Sequence, residues 1–271
     1  MIKKIGIVGC GTIGSFIAKT LDKELKALAT IVALCDIDNA RAEDLCGSLS
    51  SKPPVVSLSS LIDKSDIVVE AASGSFSFDL AKQALLNKKD VLVMSIGGLL
   101  GKSEDLFEIA RKNKAKIILP SGAICGLDGI KSAGTGIVKK VTLTTRKPPK
   151  GLMGAPYIIA NKIDLDAITD DYIIFEGTAQ EAVKAFPKNI NVSALLSIAG
   201  IGAERTIVKI VTSPKYTVNS HEVEAEGNFG RLITRTENVP SPQNPKTSFL
   251  APLSAVATLK QYLDDCVKIG T

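Results

Sequence analysis

Three glycines near the start of the chain are spaced as G-x-G-x-x-G. Gly9, Gly11 and Gly14 follow an apolar segment that predicts a strand, and they open a segment that predicts a helix. In this context the first glycine permits a tight turn, the second lets a pyrophosphate approach the backbone, and the third lets the helix pack close to the strand. The helix would begin near Thr12 and Ile13, and its N–H groups and positive dipole end would face a diphosphate.

An acidic residue ends the next apolar segment. The sequence ATIVALCD predicts a second strand, and its last residue, Asp36, lies about 20 residues beyond the glycines, where a carboxylate can hydrogen-bond an adenosine ribose. Such a carboxylate repels a 2′-phosphate and favours NAD over NADP, although Arg41 is close enough in sequence to weaken that preference. The glycines alone could merely form a turn, but the order of strand, glycines, helix, strand and acid favours a dinucleotide site.

The only histidine of the chain is the main candidate for proton transfer. His221 lies in NSHEVEAEG, which predicts a strand, and imidazole has an unperturbed pKa near neutrality. A lone histidine is often structural, but no other side chain of the second domain is so well suited to acid–base chemistry. Cys125 is the rival, because a cysteine at a predicted helix N-terminus, with a distant histidine, is the arrangement of a thiolate nucleophile. The alternative for Cys125 is a small, buried packing residue.

Two segments of small residues also follow predicted strands. Ala71–Gly74 includes Ala72, and Ser121–Asp128 includes Ala123. Dinucleotides bind across the carboxyl ends of the strands of a parallel sheet, so a cofactor could approach the backbone closely at both segments. Ordinary turns have the same composition, and composition alone leaves both interpretations open.

Two predicted domains carry these candidates. In residues 1–120, six apolar segments alternate with helical ones, which predicts an α/β domain with a doubly wound, parallel Rossmann sheet. In residues 121–244, four alternating segments and two helices predict a catalytic and dimerisation domain of α+β type, with a mainly antiparallel sheet and a hairpin at Gly227 and Asn228. Residues 245–271 predict a helix that packs back on the first domain.

Composition argues against several other classes of protein. The chain has 271 residues, 45% of them hydrophobic, and a net charge of +5, with basic residues scattered among acids. Nucleic-acid binding is therefore unsupported. No apolar run approaches about 18 residues, so no membrane helix is expected, and an N-terminal strand leaves no room for a signal peptide. The five cysteines are widely spaced and predict neither disulfides nor a metal site, which fits a cytoplasmic protein.

Five segments, spread over the whole chain, together resemble the L-aspartate dehydrogenase family. They are VGCGTIG at 8–14, LPSGAICGLDGI at 119–130, FPKNINVSA at 186–194, NSHEVEAEGNFG at 219–230 and NPKTSFLAPLSA at 244–255. The resemblance implies an NAD(P)-dependent oxidative deamination of L-aspartate to iminoaspartate, which water converts to oxaloacetate and ammonia. It also implies a homodimer joined through the second-domain sheet, and a supply of iminoaspartate to pyridine nucleotide biosynthesis.

The resemblance further implies roles for single residues. It makes His221 catalytic and makes Ala123 and Asn189 cofactor contacts, while Cys125 would only pack. Aspartate has two carboxylates, so the site needs cationic or N–H donors for both. The sequence offers four basic candidates without choosing among them: Lys162, Lys188, Arg231 and Lys246. Two other functions stay open from the residues, namely an aspartate-semialdehyde-type dehydrogenase that uses Cys125, and an NAD-binding sensor or scaffold without catalysis.

Overall fold

The computed structural model describes residues 2–187, 190–242, 244–264, 266–267 and 269–270, without the side chains of Pro245 and Lys246. The chain folds into two compact units. The first unit comprises the residues up to Pro120 together with Ala251–Ile269, and the second comprises Ser121–Leu250.

The first unit is built on a five-stranded parallel sheet. Its strand order is β2-β1-β3-β4-β5. The chain adds β2 on one side of β1 and the later strands on the other side, so the strand order reverses beside β1. Ile5, Ile67 and Leu92 are fully buried, as expected where helices cover a parallel sheet. The strands are β1 (Lys3–Val8), β2 (Ala29–Cys35), β3 (Ile67–Glu70), β4 (Asp90–Val93) and β5 (Ile117–Ile118), and the helices are α1 (Thr12–Glu24), α2 (Asn39–Ser48), α3 (Leu58–Lys64), α4 (Gly74–Leu86) and α5 (Ser103–Asn113).

The sixth strand expected in this sheet is reduced to one bridge. Val55 pairs only with Leu34, in parallel, and α3, which was not expected, follows it. Pro53 and Pro54 explain the loss, because proline has no N–H to donate to a ladder. The segment is held instead through the carbonyl of Pro54 and the amide of Val56.

The second unit is built on a mixed five-stranded sheet in the order β10-β9-β6-β8-β7. All neighbouring strands run antiparallel except β6 and β8, which pair in parallel. Strand β7 was not expected, because its exposed and buried residues do not alternate regularly. The elements are α6 (Leu127–Ala133), β6 (Val138–Lys147), α7 (Pro156–Ala160), β7 (Tyr172–Thr178), α8 (Ala179–Ala185), α9 (Asn191–Ala199), β8 (Thr206–Thr212), β9 (Asn219–Gly227) and β10 (Gly230–Asn238), followed by the short pair β11 (Pro240–Ser241) and β12 (Asn244–Ser248).

The hairpin between β9 and β10 lies where the sequence predicts it. Gly227 pairs with Gly230 across a loop of Asn228 and Phe229. The positive φ, however, occurs at Gly230 (+105°) rather than at Gly227 or Asn228. Asn228 is fixed by hydrogen bonds, since its amide donates to the carbonyl of Ile137 and its side chain accepts from the amide of Ile137.

The last helix, α10 (Leu250–Leu263), completes the core of the first unit. Ala255, Val256 and Leu259 are buried in the same cluster as β1 and β2. The hydroxyl of Tyr262 donates to Asp90 Oδ2 at 2.5 Å, and the ammonium of Lys3 lies 5.9 Å from the centre of the tyrosine ring. Among the helices described, none combines the length and apolar character that a membrane span requires.

Candidate active site

The glycine loop after β1 is shaped by close backbone contacts. Gly9 has a φ of +93°, and a Cβ atom there would lie 2.5 Å from the backbone of Ala71. A Cβ atom on Gly14 would lie 1.8 Å from the carbonyl oxygen of Gly9, so α1 can approach the loop only without a side chain at this position. A Cβ atom on Gly11 would meet no atom within 4 Å, which leaves room for a ligand beside the backbone.

The first turn of α1 is suited to an anion. Gly11 precedes the helix and has no side chain that could cap it, and the first turn contains no acidic residue. The first N–H groups of a helix lack intrahelical partners and lie at the positive end of its dipole. Thr12, Ile13 and Gly14, all expected to contact the cofactor, form this turn. The loop and helix therefore fit a diphosphate, which is the group that the glycine motif predicts.

Asp36 connects this loop to the end of β2. One carboxylate oxygen accepts from the amide of Cys10 at 2.6 Å, and the other accepts from the amide of Asp38 at 2.9 Å. Arg41 lies in the first turn of α2, with its guanidinium 3.8 Å from the carboxylate of Asp38. Burial raises the pKa of the Cys10 thiol to about 12, and the charge of Asp36 adds to the effect, so this thiol stays protonated.

A buried carboxylate that the sequence patterns do not predict as functional holds the neighbouring loops. Glu70 ends β3, is 0% exposed, and accepts from the amides of Ala72 at 2.9 Å, Ser95 at 2.9 Å and Met94 at 3.2 Å. Burial raises the pKa of its carboxyl group against the opposing effect of these hydrogen bonds. Ala72 itself is exposed. The signal in the sequence was a charged residue at the carboxyl end of the apolar segment DIVVE.

In the second unit, His221 lies on the face of the sheet that packs against α6 and α9. Its neighbours on β9, Val223 and Ala225, belong to the apolar cluster that includes Leu196 of α9. His221 is only 5% exposed, and its Nδ1 lies 3.0 Å from the hydroxyl of Thr145 on β6. Burial and then the charge of Lys147 lower the imidazole pKa from 6.5 to about 3. The expectation of an unperturbed pKa near neutrality is therefore wrong, and the ring is neutral at pH 7.

Hydrogen bonds join Ala123 to the same part of the sheet. Its carbonyl oxygen accepts from the hydroxyl of Thr236 at 2.8 Å and from the side-chain amide of Asn238 at 3.1 Å. Thr236 is the residue of β10 that pairs with His221. The structure thus brings together Ala123 and His221, two of the residues predicted to form the site. Thr236 and Asn238, like Thr145, carried no signal in the sequence that distinguished them.

Lys147 supplies a buried cation to this face. It ends β6 two residues after Thr145, is 7% exposed, and lines a small cavity with Phe186, Ile190 and Ser193. Burial lowers its pKa from 10.5 to about 8. Lys147 was not among the basic candidates, because its neighbours in VKKVTLTTRK gave no reason to separate it from exposed lysines.

The other candidates lie elsewhere. Arg231 is on the opposite face of the sheet from His221 and pairs with Glu224 at 2.6 Å, so it is not a cation of the His221 face. Lys162 is exposed beyond α7. Cys125 is exposed, so the expectation of a small, buried packing residue is wrong, whereas the absence of a catalytic role for its thiol stays a prediction. Its carbonyl accepts from the hydroxyl of Thr234. Lys188, Asn189 and the side chain of Lys246 lie outside the described residues.

Comparison with known proteins identifies the family. Residues 9–120 match the NAD-binding domain of homoserine dehydrogenase, and residues 128–262 match the C-terminal region of aspartate dehydrogenase. The chain is 48% identical to an L-aspartate dehydrogenase of Methanosarcina mazei over 99% of both proteins. The chain belongs to the L-aspartate dehydrogenase family. Another family member, from Nitrosopumilus maritimus, is 44% identical over the full length of both chains.

A solved structure supports the same assignment. The crystal structure of aspartate dehydrogenase from Thermotoga maritima is 26% identical, covers all of both chains, and superposes with a TM-score of 0.73. The family resemblance and the predicted fold class, a parallel Rossmann sheet plus a second α+β unit with a mainly antiparallel sheet, are therefore confirmed. As a member of the L-aspartate dehydrogenase family with an NAD-binding domain, the protein uses a pyridine nucleotide.

Proposed function

We propose that this protein catalyses the NAD(P)-dependent oxidative deamination of L-aspartate. A hydride leaves the α-carbon for the cofactor and a proton leaves the amine, which gives iminoaspartate; water then gives oxaloacetate and ammonia. The observation that carries the proposal is the buried His221–Thr145 pair beside Lys147, joined through β10 to Ala123, in a chain so similar to L-aspartate dehydrogenases.

The first unit would hold the cofactor through its glycine loop, and the bound nicotinamide ring would accept the hydride. The open space at Gly11 suits a pyrophosphate, and Asp36 has a carboxylate beside the loop that favours NAD over NADP by hydrogen-bonding the ribose. The proposed cofactor contacts are Gly9, Gly11, Thr12, Ile13, Gly14, Asp36, Ala72, Ala123 and Asn189.

His221 would accept the proton. If Nδ1–H donates to the hydroxyl of Thr145, the lone pair of Nε2 is available to the substrate amine, and later to the water that attacks the imine. A neutral imidazole can accept a proton in both steps, from the amine and from the water. A substrate that carries two negative charges would offset the charge of Lys147 and raise the pKa of His221 from its low value, which makes it a stronger base when substrate is bound.

The second unit would also form a homodimer. Ile173 and Ile233 are exposed on the face of the sheet opposite His221, among ion pairs such as Arg231–Glu224. A self-complementary face of this kind can pair with the same face of a second copy across a two-fold axis and so form a dimer. We further propose that the enzyme works in the cytoplasm and supplies iminoaspartate to pyridine nucleotide biosynthesis.

One assay tests the reaction. The protein is mixed with L-aspartate and NAD or NADP, and absorbance of the reduced cofactor is followed. Aspartate-dependent reduction supports the proposal. Phosphate-dependent oxidation of a semialdehyde would instead favour the Cys125 enzyme, and cofactor binding without turnover would favour a sensor. Replacement His221→Ala should lower kcat by about 10²- to 10⁴-fold and leave NAD affinity nearly unchanged, because it removes positioned proton transfer only.

A further inference from the structure

Three side chains of β10 hold the segment that contains Ala123. Thr234, Thr236 and Asn238 are two residues apart along the strand, so they share one face of the sheet. Thr234 donates to the carbonyl of Cys125 at 3.0 Å, and both Thr236 and Asn238 donate to the carbonyl of Ala123, at 2.8 and 3.1 Å. The segment is therefore attached to the sheet through hydrogen bonds from side chains.

Thr236, Asn238 and Ala123 form a closed set of hydrogen bonds. The amide of Asn238 has two hydrogens, of which one goes to the carbonyl of Ala123 and the other to the hydroxyl of Thr236, at 3.1 Å each. The single hydroxyl hydrogen of Thr236 goes to the same carbonyl, which thus accepts two bonds, one for each lone pair. Both Asn238 and Ala123 are buried. The peptide unit after Ala123 is therefore fixed in one orientation.

This set of bonds lies beside His221. Thr236 pairs with His221 across the two strands, and its hydroxyl oxygen is 3.4 Å from the carbonyl oxygen of the histidine. On the other side, Thr145 pairs with His221 across β6 and β9, and its hydroxyl is 3.0 Å from Nδ1. Thr145, His221 and Thr236 thus form one row across three adjacent strands. Because the strands are about 4.8 Å apart and their register is fixed, the row sets the separation between Ala123 and His221.

The segment also approaches β10 closely after Ala123. Gly126 has a φ of +82°, and a Cβ atom there would lie 2.6 Å from the methyl carbon of Thr234. A Cβ atom on Gly129 would overlap the side chain of Leu232 in the same way. The backbone from Ala123 to Gly129 therefore lies against β10, where a small shift of the segment is resisted by packing as well as by hydrogen bonds.

We infer that Thr236 and Asn238 are positioning residues of the reaction: they hold Ala123, a proposed contact of the cofactor, at a fixed separation from His221, the proposed proton acceptor. This inference rests on the proposed function. Neither side chain makes or breaks a bond with the substrate; each acts through the peptide unit that it holds. A displacement of about 1 Å between reacting groups can slow a reaction by about 10²-fold, so a network that fixes this peptide affects the rate.

Thr236→Val tests the inference, because valine nearly keeps the shape of the side chain and removes the hydroxyl. The carbonyl of Ala123 then loses its shorter bond, and one hydrogen of Asn238 loses its acceptor. We expect the rate of cofactor reduction in a single turnover, measured by stopped flow with L-aspartate, to fall by about 10- to 100-fold, with a smaller change in KM. Thr236→Ser keeps the hydroxyl and should retain most of this rate, whereas Asn238→Leu should act like Thr236→Val.

Thr206→Val is the matched control. The hydroxyl of Thr206 also donates to a backbone carbonyl, that of Gly202, at 2.8 Å, and the residue is buried in the same sheet. Thr206 pairs with Val141, four residues along β6 from the partner of His221, so its hydrogen bond lies away from the imidazole. Both valine variants should lower the melting temperature, but only Thr236→Val should slow cofactor reduction.

Hydrogen exchange provides a readout that does not depend on turnover. The amides of residues 121–126, followed by mass spectrometry, should exchange about tenfold faster in Thr236→Val than in the unmodified protein, and should be unchanged in Thr206→Val. Unchanged exchange in Thr236→Val contradicts the inference, because these bonds would then not hold the segment. Faster exchange with an unchanged single-turnover rate contradicts it equally, because the network would then be structural only.

The same measurements separate this inference from the proposed function. If the unmodified protein oxidises L-aspartate and Thr236→Val does so at the same rate, the proposed function stands and the positioning role is wrong. If the unmodified protein binds NAD but does not oxidise L-aspartate, the proposed function fails. The positioning role then falls with it, even where hydrogen exchange shows that Thr236 holds the segment.

Discussion

Acid titration of the single histidine measures how strongly the second unit buries its site. The imidazole pKa is about 3 in the folded chain, against 6.5 for an unperturbed histidine. The folded protein keeps the ring neutral, whereas the unfolded chain binds a proton below pH 6.5. The resulting stability is complete above that pH and is lost as the pH falls toward 3. The full difference corresponds to about 5 kcal/mol, and the slope between these limits is about 1.4 kcal/mol per pH unit.

Two assays check this prediction. With histidine labelled by ¹⁵N, the protein has one imidazole to follow by NMR, and its shifts should stay constant from pH 7 to about 4 while the protein is folded. Urea unfolding is then compared between the unmodified protein and His221→Asn, whose amide can keep the hydrogen bond to Thr145. Below pH 6 the variant should lose stability less steeply, by about 1.4 kcal/mol per pH unit.

Either of two results would refute the reasoning. One is an imidazole that titrates between pH 6 and 7 in the folded protein, which would mean that solvent reaches the ring. The other is an identical pH dependence of unfolding in His221→Asn, which would assign the acid sensitivity to carboxyl groups alone.

Four further changes have defined outcomes. Glu70→Gln should weaken NAD binding and cost about 1–3 kcal/mol in urea unfolding, because an amide cannot accept from both Ala72 and Ser95; equal stability and NAD affinity would contradict the loop-holding role. Asp36→Ser should narrow the gap between NAD and NADP affinities, and an unmodified protein that prefers NADP would overturn the placement of Asp36. Cys125→Ser should keep most turnover, whereas a loss of about three orders of magnitude in kcat would restore the thiol mechanism. Lys147→Met should flatten the pH dependence of stability between about pH 8 and 10.5, since the lysine pKa is lowered in the folded chain and stability rises as the folded form loses this proton first; an unchanged slope in urea unfolding over that range would contradict it.

Local patterns in the sequence were sufficient to predict much of the first unit. The glycine spacing, the apolar strand before it and the acid at Asp36 are properties of short segments, and the structure places them together at one loop. Val55 shows the limit of such patterns. Its segment has a strand-like composition, but two preceding prolines remove the N–H groups that a ladder needs, and only a bridge remains.

The strand order of the second unit could not be predicted in the same way, because it depends on contacts between segments that are distant in the sequence. The parallel pairing of β6 with β8 joins segments about 60 residues apart, and alternation alone does not say which strands become neighbours. Lys147 and Arg231 illustrate the same limit within the candidate site. Both are basic residues on strands, and only the register of the sheet shows that one faces His221 while the other faces away.

The return of the last helix to the first unit has a consequence for synthesis of the chain. Ala255, Val256 and Leu259 belong to the same core as Ile5 and Ile7, so this core lacks their side chains until the ribosome has also translated the second unit. At roughly 5–20 residues per second, translation of the intervening segment takes roughly 7–26 s. During that time the glycine loop has already been translated, but the core beneath it still lacks the side chains of α10, so the first unit completes its packing only after the second unit has been made.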